Sequence, residues 1–238
     1  MSKYKAILFM CNDEPRAEFV IENFTKHNPD IPLVVYNGGR SALYLKDKYN
    51  ISLIESKNLW HKKTRNPPGS FSYEWFEYLF FMGESMEQEY LIFLETDVKV
   101  TGPITKEPIY DMSGPTTFCG PLDQVVAYDF WGGYLKGTMG DETDWGAKIH
   151  TSMGGTVFKK SFFKSCQDNL KYVKMAYDLI PLNCYQDLQM TLLARFSGCS
   201  YGDWSEASDT RGVFRRINNQ WYHEPCNENC ALIHNYKV

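Results

Sequence analysis

Residues 90–100 read YLIFLETDVKV, an apolar, strand-forming run that ends in two carboxylates, Glu95 and Asp97. Because the run has no polar alternation, we expect a strand covered on both faces, as in parallel or mixed α/β sheets. Residues i and i+2 at a strand end point the same way, so both carboxylates are expected to face one ligand. The stretch therefore predicts a central strand of an α/β sheet with an acidic pair at its carboxyl end.

The flanking sequence predicts the elements that complete such a sheet. A strand pattern at 6–10 is followed by a helix pattern with Pro15 near its first turn, and then by an apolar run at 33–36. Strand, helix and strand within about 36 residues predict a βαβ unit with parallel strands. Further strands are predicted at 51–56, within 151–158 and at 231–238, and helices at 72–83, 168–180 and 185–198.

Segment 102–146 is irregular and rich in glycine, proline and aromatic residues, without a helical period. A long irregular segment inside a compact domain is typical of functional or mobile regions. The sequence has no internal repeat, low-complexity tract or linker. We therefore expect one domain over residues 1–238.

Composition excludes several classes of protein. The chain has 238 residues, is 43% hydrophobic and carries a net charge of −4, which fits a folded domain and gives no basic footprint for nucleic acid. No run approaches the roughly 20 apolar residues of a membrane helix. The seven cysteines, an odd number scattered along the chain, indicate reduced thiols and predict a cytoplasmic protein.

Several catalytic motifs are absent from the sequence. It contains no G-x-G-x-x-G after its first strand, no phosphate-binding G-x-x-x-x-G-K-[ST], no G-x-S-x-G and no H-E-x-x-H. The usual support for dinucleotide, P-loop, hydrolase and zinc protease chemistry is therefore missing.

The acidic pair Glu95 and Asp97 has two interpretations. Hard cations such as Mg²⁺ and Mn²⁺ prefer oxygen ligands, and ligands of α/β sheets bind beyond the carboxyl ends of the strands. The alternative is that the two side chains only terminate the strand and face water. The preceding βαβ unit favours the cation site.

Three stretches, FLETDV at 93–98, YQDLQMTLLARFSG at 185–198 and LIHNYK at 232–237, resemble glycosyltransferases of the GT-A fold. The small soluble glycosyltransferases of large algal DNA viruses are similar, and such a source would imply the host cytoplasm. The resemblance implies a Rossmann-like mixed sheet flanked by helices, with residues 1–100 binding the nucleotide and 101–238 the acceptor. The chain departs from the family pattern at Glu95, where aspartate is usual, and at Gln186, where glutamate is common.

The resemblance also implies site residues and chemistry. Asp97 and His234, supported by Glu95, would hold Mn²⁺ or Mg²⁺, and Asp187 would be the general base of an inverting hexosyl- or pentosyltransferase. The donor would be a nucleotide sugar, with UDP-sugar favoured, and the acceptor a glycan or glycoprotein. The residues expected around the donor are Cys11, Asn12, Asn37, Gly38, Glu95, Thr96, Asp97, Gly154, Gly155 and Lys237.

Two alternative functions are left open by the residues. A retaining glycosyltransferase on the same fold would not use Asp187 as its base, and an aspartate there also suits the first turn of a helix. A non-catalytic, zinc-stabilised binding module would instead use a cluster with the pattern H-x₂-C-x₃-C-x₃-H. That cluster consists of His223, Cys226, Cys230 and His234.

Overall fold

The computed structural model describes residues 2–10, 14–38, 41–55, 73–118, 149–151, 153–179, 186–217 and 220–236. Its helices are α1 (Glu14–His27), α2 (Tyr44–Lys48), α3 (Tyr73–Ser85), α4 (Lys160–Asp168), α5 (Leu170–Leu179) and α6 (Gln186–Phe196). Its strands are β1 (Tyr4–Met10), β2 (Leu33–Asn37), β3 (Ser52–Glu55), β4 (Tyr90–Leu94), β5 (Lys99–Val100), β6 (Met112–Gly114), β7 (Thr116–Phe118), β8 (Ile149–Thr151), β9 (Val157–Lys159), β10 (Tyr201–Asp203), β11 (Ala207–Asp209), β12 (Val213–Ile217), β13 (Gln220–Glu224) and β14 (Leu232–His234).

A seven-stranded mixed sheet forms the centre of the molecule, in the order β10-β6-β9-β4-β1-β2-β3. β1 pairs in parallel with both β2 and β4, and β9 runs antiparallel to its neighbours β4 and β6. The sequence prediction of a mixed α/β sheet is confirmed, and so is the parallel pair of the βαβ unit formed by β1, α1 and β2.

Strand β4 is buried along its whole length, as its unbroken apolar pattern predicts. Leu91 and Phe93 pack in a cluster with residues of α3, α4, α5 and α6 on one face of the sheet. Ile92 and Leu94 pack on the other face with the apolar stripe of α1. Burying each such side chain contributes about 1.5–3 kcal/mol, so this strand is fixed between two helical layers.

A second, three-stranded sheet has the order β11-β14-β5. β14 pairs in parallel with β11, placing Asp209 opposite His234, and antiparallel with β5, which follows the acidic pair. The predicted closing strand at 231–238 is thus shorter and belongs to this smaller sheet. The arrangement brings His234 back to the carboxyl end of β4.

The other predictions have mixed outcomes. The predicted helix ending at Gly198 is present as α6, and Gly198 adopts the left-handed conformation (φ 73°) that favours glycine at such an end. The sequence did not predict α2 or the β12–β13 hairpin. Most of segment 102–146, namely 119–146, lies outside the described residues. Among the described helices, none is long and apolar enough to span a bilayer.

Candidate active site

The acidic pair lies in a tight turn directly after β4. The backbone N–H of Val98 donates to the carbonyl of Glu95 at 3.1 Å, which closes the turn before β5 begins. The backbone N–H of Tyr236 donates to the carbonyl of Asp97 at 2.9 Å. A backbone hydrogen bond therefore connects the turn to the segment that follows β14, in addition to the pairing of β14 with β5.

Glu95, Asp97 and His234 form a group whose ligand atoms all lie within 4.8 Å of one another. The His234 Nε2 atom lies 3.3 Å from Glu95 Oε2 and 3.7 Å from Asp97 Oδ1. Two carboxylates and one imidazole nitrogen are a donor set that suits Mn²⁺ and, through the oxygens, Mg²⁺. The residues predicted as metal ligands are thus close enough to share one ion.

His234 is held from its other side by Asp209. The His234 Nδ1 atom lies 2.9 Å from Asp209 Oδ2, and the Asp209 side chain is fully buried. Burial alone would lower the pKa of His234, but hydrogen bonds with Asp209 and Glu95 outweigh it and raise that pKa to about 10. In the absence of metal His234 is therefore a cation among three carboxylates, and binding an ion at Nε2 requires loss of a proton.

Gly154 provides the space that the His234 ring occupies. A Cβ atom at this position would lie 2.2 Å from His234 Cδ2, a distance that real contacts do not allow. The next residue, Gly155, has a φ of 84°, and its N–H donates to the carbonyl of Phe93 at 2.9 Å. The glycine pair thus lets the backbone before β9 pass between the end of β4 and the imidazole.

The amino-terminal end of α6 lies beside the same group of ligands. The Gln186 side-chain amide donates a hydrogen bond to Glu95 Oε1. Asp187 Oδ1 accepts a hydrogen bond from the backbone N–H of Met153 at 3.0 Å. Burial is the main cause that raises the pKa of Asp187 to about 6, with His234 lowering it and Glu95 raising it further. A carboxyl group of this pKa is mostly ionised at neutral pH.

The remaining predicted residues have separate positions. Asn37 and Gly38 lie at the carboxyl end of β2, where the Gly38 N–H donates to the carbonyl of Met10 at 3.0 Å. Thr96 lies between the two carboxylates in the turn after β4. Cys11, Asn12 and Lys237 lie outside the described residues.

The zinc cluster of His223, Cys226, Cys230 and His234 does not form. Within the described ranges, the only group of three or more metal-binding side chains is Glu95, Asp97 and His234. The Cys230 thiol donates to the carbonyl of Ser205, and His223 Nε2 lies 3.4 Å from the carbonyl of Arg211. Neither Cys226 nor Cys230 forms a disulfide. His223 lies on β13 and His234 on β14, and these strands belong to different sheets.

Sequence reasoning missed Asp209 and Arg211. Burial of Asp209 works against its ionisation, but hydrogen bonds from Arg211 and His234 hold its pKa well below the ordinary range. The sequence signal is slight, an aspartate at the end of a three-residue strand in the stretch ASDTRG, 207–212. Such a strand is too short for an alternating pattern to be recognised.

A solved structure of the galactosyltransferase LgtC, in complex with donor and acceptor sugar analogs, overlays on 98% of this chain and 86% of its own, with a TM-score of 0.55 and 14% identity. The chain has a GT-A fold. No protein-family model and no curated protein matches its sequence. The predicted α/β fold, with a mixed sheet flanked by helices, is thus confirmed.

Two further structures overlay less closely on this GT-A chain. Core-mannan synthase A from Aspergillus fumigatus, in an Mn/GDP form, gives a TM-score of 0.47 at 9% identity over 82% of this chain and 70% of its own. The glycosyltransferase GlyE from Streptococcus pneumoniae TIGR4 gives 0.47 at 10% identity over 87% of this chain and 46% of its own. The chain therefore spans about half the length of GlyE.

Proposed function

We propose that the chain is a metal-dependent glycosyltransferase that moves a sugar from a nucleotide-diphosphate donor to a hydroxyl group of a glycan or glycoprotein acceptor. The observation that carries the proposal is the group of Glu95, Asp97 and His234 at the carboxyl end of the central strand of a GT-A fold. UDP-sugar is the favoured donor, and transfer with inversion is the favoured stereochemistry.

The donor-binding residues are proposed at the carboxyl edge of the sheet. Glu95, Asp97 and His234 would hold Mn²⁺ or Mg²⁺, and a bound ion supplies positive charge against the charge that develops on the leaving diphosphate. Asn37 and Gly38 lie at the end of β2, which β1 separates from β4 in the sheet, and the nucleoside is expected there. Six further residues stay predictions for the donor, namely Cys11, Asn12, Thr96, Gly154, Gly155 and Lys237.

Asp187 is the proposed general base. As the acceptor oxygen bonds to the anomeric carbon, the bond from that carbon to the diphosphate breaks and Asp187 takes the hydroxyl proton. Its pKa of about 6 suits this role, because a base is most effective when its pKa lies just below the working pH. Attack from the face opposite the diphosphate inverts the anomeric carbon.

The two proposed halves of the chain would share the metal site. Glu95 and Asp97 belong to the predicted nucleotide-binding half, 1–100, and His234 to the predicted acceptor-binding half, 101–238. The division into halves, the cytoplasmic location and the viral source stay predictions.

The proposal is tested with a panel of UDP-, GDP- and TDP-sugars, measuring Mn²⁺-dependent binding by calorimetry and slow hydrolysis by release of the nucleotide. Asp97→Asn should lose metal-dependent binding, whereas Asp187→Asn should bind donor and turn over about 10²–10⁴-fold more slowly. Asp178→Asn, on the surface of α5 and paired with Lys174, is the matched control. Absence of binding to every sugar nucleotide, with and without Mn²⁺, would exclude the proposed function.

The product distinguishes inversion from retention. Proton NMR of the transferred sugar reports the configuration at its anomeric carbon. Inversion together with a slow Asp187→Asn enzyme is the expected result. Retention, or an Asp187→Asn enzyme as fast as the parent, would favour the retaining alternative on the same fold.

A further inference from the structure

Asp209 and His234 face each other across two paired strands. β11 and β14 are parallel, and their register pairs Asp209 directly with His234. Paired residues of a parallel ladder point to the same face of the sheet, so both side chains leave their strands on the same side. Both are buried, and the distance from Asp209 Oδ2 to His234 Nδ1 is 2.9 Å.

Arg211 fixes the ionised form of Asp209. Its backbone N–H and its Nε–H donate to Asp209 Oδ1 at 2.8 and 2.9 Å, and its Nη2 donates to Oδ2 at 2.8 Å. A carboxylate surrounded by these donors can only accept hydrogen bonds. The His234 Nδ1 atom must therefore carry the hydrogen that it shares with Asp209 Oδ2.

The opposite edge of the imidazole is fixed by the backbone. Gly154 lies against Cδ2 and Nε2 so closely that no side chain fits between them. With Nδ1 on Asp209, the ring directs Nε2 toward Glu95 Oε2 at 3.3 Å and Asp97 Oδ1 at 3.7 Å. The ring therefore has one orientation and one nitrogen available for the group of ligands.

We propose that Asp209, held by Arg211, is a positioning residue that keeps the hydrogen of His234 on Nδ1 and thereby presents Nε2 as a metal ligand. The inference rests on the proposed function only in taking Glu95, Asp97 and His234 as the metal site. Partners that orient a histidine ligand in this way typically change metal affinity by about 10–100-fold when they are removed.

Asp209→Asn tests this role with almost no change of shape. Arg211 donates twice to Oδ1 and once to Oδ2, so the asparagine oxygen is expected at the position of Oδ1. Its NH₂ group then takes the position of Oδ2 and loses the hydrogen bond from Arg211 Nη2. The NH₂ group would then donate to Nδ1 and move the ring hydrogen to Nε2, which faces the ligands. We expect the affinity for Mn²⁺, added alone and followed by the electron paramagnetic resonance signal of free Mn²⁺, to fall about 10–100-fold.

Asp111→Asn is the matched control for a merely structural effect. Asp111 accepts hydrogen bonds from the side chains of Ser161 and Ser200 and from the Ser200 backbone, and none of these residues belongs to the metal site. This variant should lose stability in thermal unfolding yet keep the parent's Mn²⁺ affinity. Equal Mn²⁺ affinity in Asp209→Asn and the parent, or equal loss in both variants, would overturn the inference.

A second measurement needs no variant. Two-bond ¹H–¹⁵N NMR of the histidine rings in the parent saturated with Zn²⁺, a diamagnetic ion that takes imidazole nitrogen as a ligand, should show the His234 hydrogen on Nδ1 alone, and a hydrogen on Nε2 would overturn the inference. Both measurements omit the sugar nucleotide, so they are independent of the transfer assay. A parent that binds Mn²⁺ in this geometry but transfers no sugar would refute the proposed function alone, whereas a parent without Mn²⁺ binding would refute the inference.

Discussion

The Asp97 carboxylate is a proposed metal ligand, and we expect it to destabilise the folded chain when no metal is bound. Burial raises its pKa, and the nearby Glu95 raises it further, although His234 opposes both. The ionised side chain is therefore less favourable in the folded, metal-free chain than in water. We expect Asp97→Asn to raise the free energy of unfolding in EDTA by roughly 0.5–2 kcal/mol and to abolish Mn²⁺ binding. Urea titration checks the first effect, and a less stable variant would contradict it.

The raised pKa of Asp187 predicts how the free energy of unfolding changes with pH. Its pKa is about 6 in the folded chain and 3.8 as the ordinary value of an aspartate, so between these values the folded state binds more protons than the unfolded state. The contribution of Asp187 to stability must then fall as the pH rises from about 4 to 6. Relative to the parent, Asp187→Asn should gain up to about 3 kcal/mol over this range.

Urea unfolding at several pH values, in EDTA, measures this difference. The comparison with Asp187→Asn removes the contributions of all other carboxyl groups, which the two proteins share. Parallel stability profiles of parent and variant would show that the pKa of Asp187 is not raised.

The sequence and its resemblance to a known family predicted the candidate metal ligands but not the side chains that contact His234. Glu95 and Asp97 follow an obvious apolar strand, and His234 lies in a stretch that resembles a known family. Asp209 acquires its position only through the register of two short strands, which no local pattern encodes. The role of Arg211 can be recognised only from its ion pair with Asp209, which the structure shows.

At the level of elements, a methyl group added at Gly154 tests whether the connection before β9 confines the His234 ring. Gly154→Ala places a Cβ atom 2.2 Å from His234 Cδ2, so the imidazole must leave its position. We expect weaker Mn²⁺ binding and a loss of about 1–3 kcal/mol in the free energy of unfolding. Gly102→Ala is the control, because a Cβ atom there meets nothing within 4 Å. Unchanged Mn²⁺ affinity in Gly154→Ala would show that the ring is not confined.

Element length decided which parts of the fold could be predicted. The strands β1, β2 and β4 and the helices α1 and α6 are long enough to show an apolar run or a helical period, and their predicted positions are close to the observed ones. β5, β6, β7, β10 and β11 have two or three residues each and were not predicted. Their pairing depends on partners that are distant in sequence.

For the whole molecule, the candidate metal site joins segments that are distant in sequence, since 137 positions separate Asp97 from His234. An unfolded chain cannot bring Glu95, Asp97 and His234 together, so Mn²⁺ should bind the folded state almost exclusively. At a free concentration one hundred times its dissociation constant, Mn²⁺ should raise the free energy of unfolding by about 2.7 kcal/mol. Thermal and urea unfolding with increasing Mn²⁺ measure the effect. The same increase in Asp97→Asn would place Mn²⁺ at another site.

The parallel pairing of β11 with β14 also has an evolutionary consequence. The β12–β13 hairpin lies between these strands in sequence, and changes in loop length cost little free energy. One residue gained or lost within β11 or β14 would instead turn Asp209 or His234 to the opposite face of the sheet. Homologues that retain the metal site are therefore expected to tolerate insertions and deletions across the hairpin, while the lengths of the two strands stay constant.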